Sequence, residues 1–241
     1  ERIEYISNWI RSYIDNETSN LSSLVVGISG GIDSAVTSVL CAKTNLKILA
    51  VSMPIRQNKT QHSLSLEHID WLKSNFQNVE SYTISLDEVF DSFKKSMYDF
   101  ESELAFANLR SRLRMCTLYQ IAQSKKGLVV GTGNKVEDFG IGFYTKYGDG
   151  GVDISPIADC TKTQVWELGK HLGVLQEIIN TPPTDGLWDD GRNDVQQLGM
   201  SYQDLEKAME NKNDPNYKKY LEIREKNLHK MNPIPVCKFN E

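Results

Sequence analysis

Little in this sequence points to a membrane, an oxidising compartment or a nucleic-acid partner. No apolar run approaches the roughly 20 residues that a bilayer crossing needs. No signal-peptide pattern is evident at the start, where the chain opens on Glu1 rather than Met. The four cysteines, Cys41, Cys116, Cys160 and Cys237, form no CxxC pair and no metal-ligand spacing. That argues against a disulfide framework or a zinc site and predicts a reducing, cytoplasmic setting, with each thiol read as buried filler. A net charge of −5 leaves no excess of Lys and Arg to hold a phosphate backbone, so any anionic ligand must meet a local cluster of cations. Two common nucleotide fingerprints are also missing, since the chain has neither GxxxxGK[ST] nor GxGxxG.

What the chain does have is a short β-branched run, Leu24-Val25-Val26, followed by Gly27-Ile28-Ser29-Gly30-Gly31-Ile32-Asp33-Ser34 and an apolar stretch over 35–42. This reads as buried strand, tight loop and helix, with Val36, Val39 and Leu40 on one helical stripe. Gly30 and Gly31 let the backbone turn and approach a ligand, and the free amides of the helix's first turn favour phosphate. Asp33 stands where a cation would be expected. A carboxylate beside polyphosphate would repel it unless a divalent cation lay between, so the loop itself predicts Mg²⁺.

The rest of the chain alternates in the same way. Helical spacing over 3–14 precedes the first strand; a second strand is expected at 47–51, a helix over 61–76, a third strand at 81–84, a long helix over 103–123 and a fourth strand at 127–131. Strands alternating with helices imply a doubly wound, mostly parallel α/β sheet with helices on both faces. The loops after the first and fourth strands should meet at its carboxyl edge. Residues 131–151 carry seven glycines and read as one long functional loop. Helices resume at 162–172 and 202–210, weak structure is expected over 180–193, and the last ten residues read as extended. With 241 residues and no linker, the expectation is a single domain over 1–241, ending in a helical segment and a substrate-binding tail.

Ser29-Gly30-Gly31-Ile32-Asp33-Ser34 resembles the SGGxDS pyrophosphate loop of the N-type ATP pyrophosphatases, enzymes that activate an acceptor by adenylation and release pyrophosphate. The remaining motifs are similar to one branch of that group, the NAD synthetase family in its short, ammonia-dependent form. Asn108–Met115 (NLRSRLRM) resembles the family's NxxARxRM helix, Gly131–Glu137 (GTGNKVE) its GTxNxxE segment, and Phe143–Asp153 (FYTKYGDGGVD) its FFTKYGDGGxD run. Thr161-Lys162, Pro183-Thr184 and His229-Lys230 follow in the family's order and spacing.

The resemblance implies an adenine nucleotide alpha-hydrolase-like fold and assigns roles. Gly27, Ile28, Ser29, Gly30, Gly31, Ile32, Asp33, Ser34, Thr132, Lys162 and Thr184 would bind ATP. Arg112, Lys146, Asp153, His229 and Lys230 would bind deamido-NAD, and Asp33, Lys162 and Asp149 would be catalytic, with Asp149 near the ammonia. Asp33 and Glu137 would hold Mg²⁺. One extra residue separates Glu137 from Lys146 relative to the family, which leaves Asp138 as an alternative ligand, and Met231 stands where the family usually has Arg. Arg110 and Arg114 share a helix face that Arg112 does not, so they read as surface or ion-pair residues. Trp188 and Met53-Pro54 are expected to border the nucleotide pockets, and Arg56 to reach toward ATP phosphate.

The implied reaction is ligation. The nicotinate carboxylate of deamido-NAD attacks the α-phosphorus of ATP, and ammonia then displaces AMP. The chain has no room for an amidotransferase domain, so glutamine is not expected as the direct nitrogen donor. A homodimer is the implied assembly, with neither nucleic acid nor membrane as partner. The alternatives are a tRNA-thiolating ATP pyrophosphatase, which would need a base-binding module and reactive cysteines, and a non-catalytic ATP-binding sensor. The sensor would have no use for the Lys146, Asp153 and Lys162 set.

Overall fold

Short segments rich in Val, Ile and Leu have little helical length and pair instead into a parallel sheet. In the computed structural model, which describes residues 1–17, 20–57, 59–188 and 190–239, these are β1 (Ser23–Gly27), β2 (Lys47–Ser52), β3 (Val79–Thr83) and β4 (Gly127–Val130). Their order is β3-β2-β1-β4, all parallel, with Val25 opposite Leu49 and Val129. Side chains alternate along each strand. Leu24, Val26, Ile48, Ala50, Leu128 and Val130 pack under α1 (Arg2–Glu17), α2 (Ile32–Ala42), α3 (Lys59–Asn75) and α6 (Lys162–Leu172). Val25, Leu49, Val51 and Val129 face the other way, against α4 (Asp87–Ser96) and α5 (Glu103–Ser124). The sheet is therefore covered on both faces, as the alternation of elements predicts.

Because the chain runs outward from β1 to β2 and β3 and then returns to β4 on β1's other side, the strand order reverses between β1 and β4. Ligands bind outside the carboxyl ends of parallel strands at such a switch point. A third apolar cluster lies beyond that edge. There a π-helical turn (Val136–Ile141) packs against α9 (Tyr202–Glu210) and α10 (Tyr217–Met231), around Ile141, Tyr202, Leu205 and Tyr220. Two shorter helices, α7 (Gln176–Asn180) and α8 (Asp194–Leu198), complete the chain.

Several expectations need correction. The third strand begins two residues earlier than its sequence suggests, at Val79. α4 and α10 fall outside the helices expected from the sequence. Residues 131–151 are not one loop, since the π-helical turn interrupts them. His229 and Lys230, assigned to the substrate-binding tail, lie in the last turn of α10. Residues 233–239 carry no regular structure, and 240–241 lie outside the described residues. All four thiols are free, but only Cys41 and Cys160 are buried; Cys116 and Cys237 are exposed. Among the described residues no helix is long and apolar enough to cross a membrane.

Candidate active site

The turn after β1 is closed by its own hydroxyls. Ser34 Oγ accepts from the Ser29 amide at 3.2 Å and donates to the Gly31 carbonyl at 3.0 Å, while Ser29 Oγ accepts from the Gly31 amide at 3.1 Å. Gly30 sits at φ +88°, and a Cβ there would lie 2.5 Å from the Gln61 carbonyl oxygen. Only glycine satisfies both constraints. Gly31 begins α2 without a side-chain cap, which leaves the amides of the first turn available to an anion.

Charge converges beside this cradle. Lys162, the first residue of α6, is 1% exposed. Its ammonium donates to Asp33 Oδ2 at 2.5 Å and to Glu137 Oε1 at 2.9 Å. A cation at a helix N-terminus opposes the helix dipole; the two carboxylates explain its place. Burial works against the charged lysine, but Asp33 and Glu137 outweigh burial and hold it protonated. Burial pushes the Asp33 carboxyl up against the pull of Lys162. For Glu137 burial also acts upward, yet Lys162 and the Tyr202 hydroxyl outweigh it and keep the group below the usual carboxylate range. Asn134 aligns the pair: its Oδ1 caps the π-helical turn through the amides of Val136 and Glu137, and its Nδ2 donates to Asp33 Oδ1 at 3.1 Å.

The π-helical turn, a rare element, begins the stretch between Glu137 and Lys146 in which the resemblance implies one extra residue. It leaves Glu137 facing Lys162 and turns Asp138 over Gly133, where a Cβ would stand 2.1 Å from Asp138 Oδ2. Glu137, not Asp138, pairs with Asp33. Burial, with Glu137, Asp149 and Asp33 nearby, pushes Asp138 up to about 8.

Asp149 is held by the helix that carries Asn108–Met115. Ser111 Oγ donates to Asp149 Oδ1 at 2.8 Å and accepts from the Asp149 amide at 2.8 Å, and the Thr145 amide also donates to Oδ1 at 2.8 Å. Thr145 Oγ1 in turn donates to Asn108 Oδ1 at 2.7 Å. Surrounding protein raises the Asp149 pKa against those hydrogen bonds, although the side chain opens to solvent through the cavity.

One cavity is lined by the whole stretch from Gly27 to Ser34 together with Thr132, Glu137, Asp149, Lys162 and Thr184. Thr184 Oγ1 is already committed to the Arg192 carbonyl at 3.0 Å. The five residues assigned to deamido-NAD stand outside this cavity. Arg112 is exposed and donates to the Lys146 carbonyl at 3.2 Å, so these two are brought together. Asp153 accepts from the Val129 amide at 2.8 Å and the Tyr119 hydroxyl at 2.9 Å. His229 is exposed, and Lys230 donates to the Tyr144 carbonyl at 2.5 Å.

Arg110 and Arg114 depart from the surface reading. Arg110 is buried and donates to the Leu187 carbonyl at 2.5 Å; Arg114 lines the cavity, donates to the Met53 carbonyl at 3.0 Å and is lowered to about 10, first by burial and then by Arg110. They share a helix face, as their spacing requires, but that face is the inner one. Arg56 pairs with Asp91 in a second cavity, away from the cradle, and Trp188 lines that same second cavity, whereas Met53 does border the first. Sequence reasoning also missed Asn134, Ser111, Tyr202 and Asp194. The first two lie inside quoted motifs, and the last two carried no motif.

The donor set fits a hard divalent cation. Two carboxylates from separate elements converge on one positive charge, here the protein's own ammonium. Among the described residues no group of three or more His, Cys, Asp or Glu side chains makes a metal-binding arrangement. The remaining positions on a magnesium ion would therefore fall to phosphate oxygens and water.

The family model described as NAD synthase matches residues 2–237. The NH(3)-dependent NAD(+) synthetase of Alkaliphilus metalliredigens is 40% identical over 221 residues, covering 89% of this chain and 87% of the relative. Among solved structures, the NMN synthetase of Francisella tularensis superposes with a TM-score of 0.90 at 33% identity, covering 99% of this chain and 98% of that one. The NH3-dependent NAD synthetase of Campylobacter jejuni superposes with a TM-score of 0.78 at 26% identity, covering 98% of each. A glycine cradle joined to Lys162, Asp33 and Glu137, with likeness running along nearly the full sequence, leaves one assignment: the chain belongs to the NAD synthase family.

Proposed function

We propose that the protein is a carbon–nitrogen ligase that amidates deamido-NAD to NAD with ATP and ammonia. The observation that carries this reading is one cavity lined together by an uncapped helix N-terminus, Lys162 and Asp149. In the first half-reaction a nicotinate carboxylate oxygen bonds to the α-phosphorus of ATP while the bond to the bridging oxygen breaks and pyrophosphate leaves. In the second, ammonia nitrogen bonds to the acyl carbon, AMP departs and one proton is released. The first-turn amides of α2 hold the polyphosphate, and Lys162 offsets charge gathering on the α-phosphate and the leaving group. Asp149, fixed by Ser111 and Thr145, orients the ammonia and receives its proton. Asp33 and Glu137 would hold Mg²⁺, which when bound neutralises charge on the phosphates.

A homodimer accompanies this reading. Arg112 faces outward on α5, and Phe93 on α4, Leu104 on α5 and Phe100 between those helices are exposed, apolar side chains available to a second copy. The acceptor would then lie against both chains. The free thiols support a reducing, cytoplasmic setting.

A second acceptor is favoured by one specific observation. The structure superposing at 0.90 is an NMN synthetase, whose product corresponds to nicotinate mononucleotide as the acid amidated. Lys230 is spent on Tyr144 and Met231 stands where the family usually has arginine, which alters the tail contacts to deamido-NAD that the resemblance implies. The test is to supply ATP and ammonium with either deamido-NAD or nicotinate mononucleotide, and glutamine as a control nitrogen source. Rapid amide and pyrophosphate formation from deamido-NAD with ammonium is expected. A preference of tenfold or more for the mononucleotide would move the assignment to the second acceptor, and no turnover with either would reject the ligase.

A further inference from the structure

One hydroxyl beside the paired carboxylates has more acceptors than it has protons. Tyr202 Oη lies 2.6 Å from Glu137 Oε1 and 2.8 Å from Asp194 Oδ2. A phenol donates once, so with both carboxylates ionised one of these contacts would join two oxygens with no proton between them. Asp194 is the one placed to carry the missing proton. It is 4% exposed, and its other oxygen, Oδ1, is buried without a hydrogen-bond partner among the described residues. A lone buried oxygen costs far less on a neutral acid than on a carboxylate. Glu137, by contrast, receives the Lys162 ammonium on the same Oε1 that faces Tyr202.

We propose that Asp194 and Tyr202 are positioning residues forming a hydrogen-bonded clamp on Glu137: neutral Asp194 donates to the Tyr202 oxygen, and Tyr202 donates to Glu137, holding that carboxylate oriented for a divalent cation. The groups facing Asp194 are Tyr202 on α9, Glu137 on the π-helical turn, Lys162 on α6 and Asp185. Burial, with Glu137 second, raises Asp194 to about 7, in keeping with the proton count. The clamp also reaches the segment before α8. The Asp194 amide donates to the Pro183 carbonyl at 3.0 Å, and Thr184 follows directly. It thereby ties a segment that lines the ATP cavity to the carboxylate across it. The ring of Tyr202 has separate duties, lying under the Lys162 ammonium at 4.7 Å and edge-on to Trp166 at 6.2 Å. Tyr202→Phe keeps those contacts and removes only the hydroxyl.

This inference rests on the Mg²⁺ and ATP part of the proposed function, and its test does not require turnover. Mn²⁺ is titrated by electron paramagnetic resonance in the presence of α,β-methylene ATP, after the unliganded melting temperature has confirmed folding. Losing a group that orients a metal ligand typically weakens metal binding by about 10-fold or more. Tyr202→Phe and Asp194→Ala should each weaken Mn²⁺ binding about tenfold, and the double variant no further, because both act through one hydroxyl. Asp194→Asn, whose amide can donate as a neutral acid does, should stay within about twofold of wild type. Unchanged Mn²⁺ affinity in Tyr202→Phe or Asp194→Ala would overturn the clamp, as would Asp194→Asn binding as weakly as Asp194→Ala. Should Tyr202→Phe fail to fold, the Asn and Ala variants at 194 decide between the same outcomes. If wild type binds Mn²⁺ but amidates neither acceptor, the reaction assigned above fails while the clamp is still tested.

Discussion

Lys162 and Lys146 are both lysines expected to meet phosphate, and their surroundings differ throughout. Lys162 is buried between Asp33 and Glu137. Lys146 lies over the ring of exposed Tyr147, 5.4 Å away, with Arg112 on its carbonyl. The nucleotide half of the site is thus assembled inside the fold from α2, α6, α9 and the π-helical turn, with Lys162, Asp33, Glu137 and Tyr202 bonded to one another. The acceptor half lies outside that cavity on α5, α10 and the 143–153 loop, with Arg112, Asp153 and His229 exposed and Lys146 and Lys230 partly so. A buried half is positioned by the same packing that stabilises the fold, so damage there should cost stability and catalysis together. An exposed half needs a further surface to complete it, so damage there should cost affinity for one substrate alone.

The strongest test of that contrast is Lys162→Met. Removing the ammonium leaves Asp33 and Glu137 facing each other without a cation, which should destabilise the fold by about 3–5 kcal/mol. It should also lower pyrophosphate release by about 10³-fold, the scale on which preorganised charge stabilisation acts. Chemical denaturation and a pyrophosphate assay measure the two effects. If activity falls with stability intact, the nucleotide half is not integral to the core.

Asp149→Asn comes next. It keeps the shape and the Ser111 contact but removes the base, so turnover should fall about 10²-fold while the KM for ATP and the melting temperature hold. A rise in the ATP KM would place Asp149 with the nucleotide rather than with ammonia.

Arg112→Ala probes the other half. It should raise the KM for the acceptor by about tenfold, equivalent to about 1.4 kcal/mol of binding, with stability and the ATP KM unchanged. The same variant examined by sedimentation should loosen the dimer if Arg112 completes its site beside a second copy. A change in the ATP KM alone would merge the two halves and remove the distinction.

The buried half was the more legible in the sequence because its constraints are local. Gly30, Gly31 and a short apolar strand before an apolar helix dictate a strand–turn–helix cradle. The limits of α6 and α9 follow from Thr161 with Gln164, from Gly173, and from Ser201, all of which act within a turn of the helix end. What was not legible depends on long-range meetings. Tyr202 and Asp194 reach Glu137 across 65 residues in one case and through a shared hydroxyl in the other, and neither belongs to a spacing pattern. The arginines show a subtler limit. Spacing placed Arg110 and Arg114 together, but which face is buried depends on what packs there, and polar Ser111 and Asn108 hide an inner face that carries hydrogen bonds rather than hydrocarbon.

Acid sharpens the comparison from the scaffold side. His68 on α3 is fully buried against α2, the helix that ends the cradle, with Nε2 2.9 Å from Ser38 Oγ. The Ser38 hydroxyl donates to the Ala35 carbonyl at 2.8 Å, so Nε2 carries the ring proton and donates to Ser38, while Nδ1 is buried without a partner. A second proton on Nδ1 would be unpaired, and burial lowers the His68 pKa from 6.5 to about 4. Between those values the unfolded chain binds a proton that the folded chain refuses, so stability is held above about pH 6.5 and declines as pH falls toward 4. By pH 4.5 the loss from this group should be about 2–3 kcal/mol. His68→Gln should be less stable than wild type at pH 7, because it gives up the ring's stacking on Trp71, and the gap should narrow by that amount at pH 4.5. Urea denaturation of both proteins at the two pH values measures it. A gap that stays constant would mean that His68 is charged in the folded protein and that the helix pair behind the cradle is open enough to hydrate it, which would deny the nucleotide half the closed interior that separates it from the acceptor half.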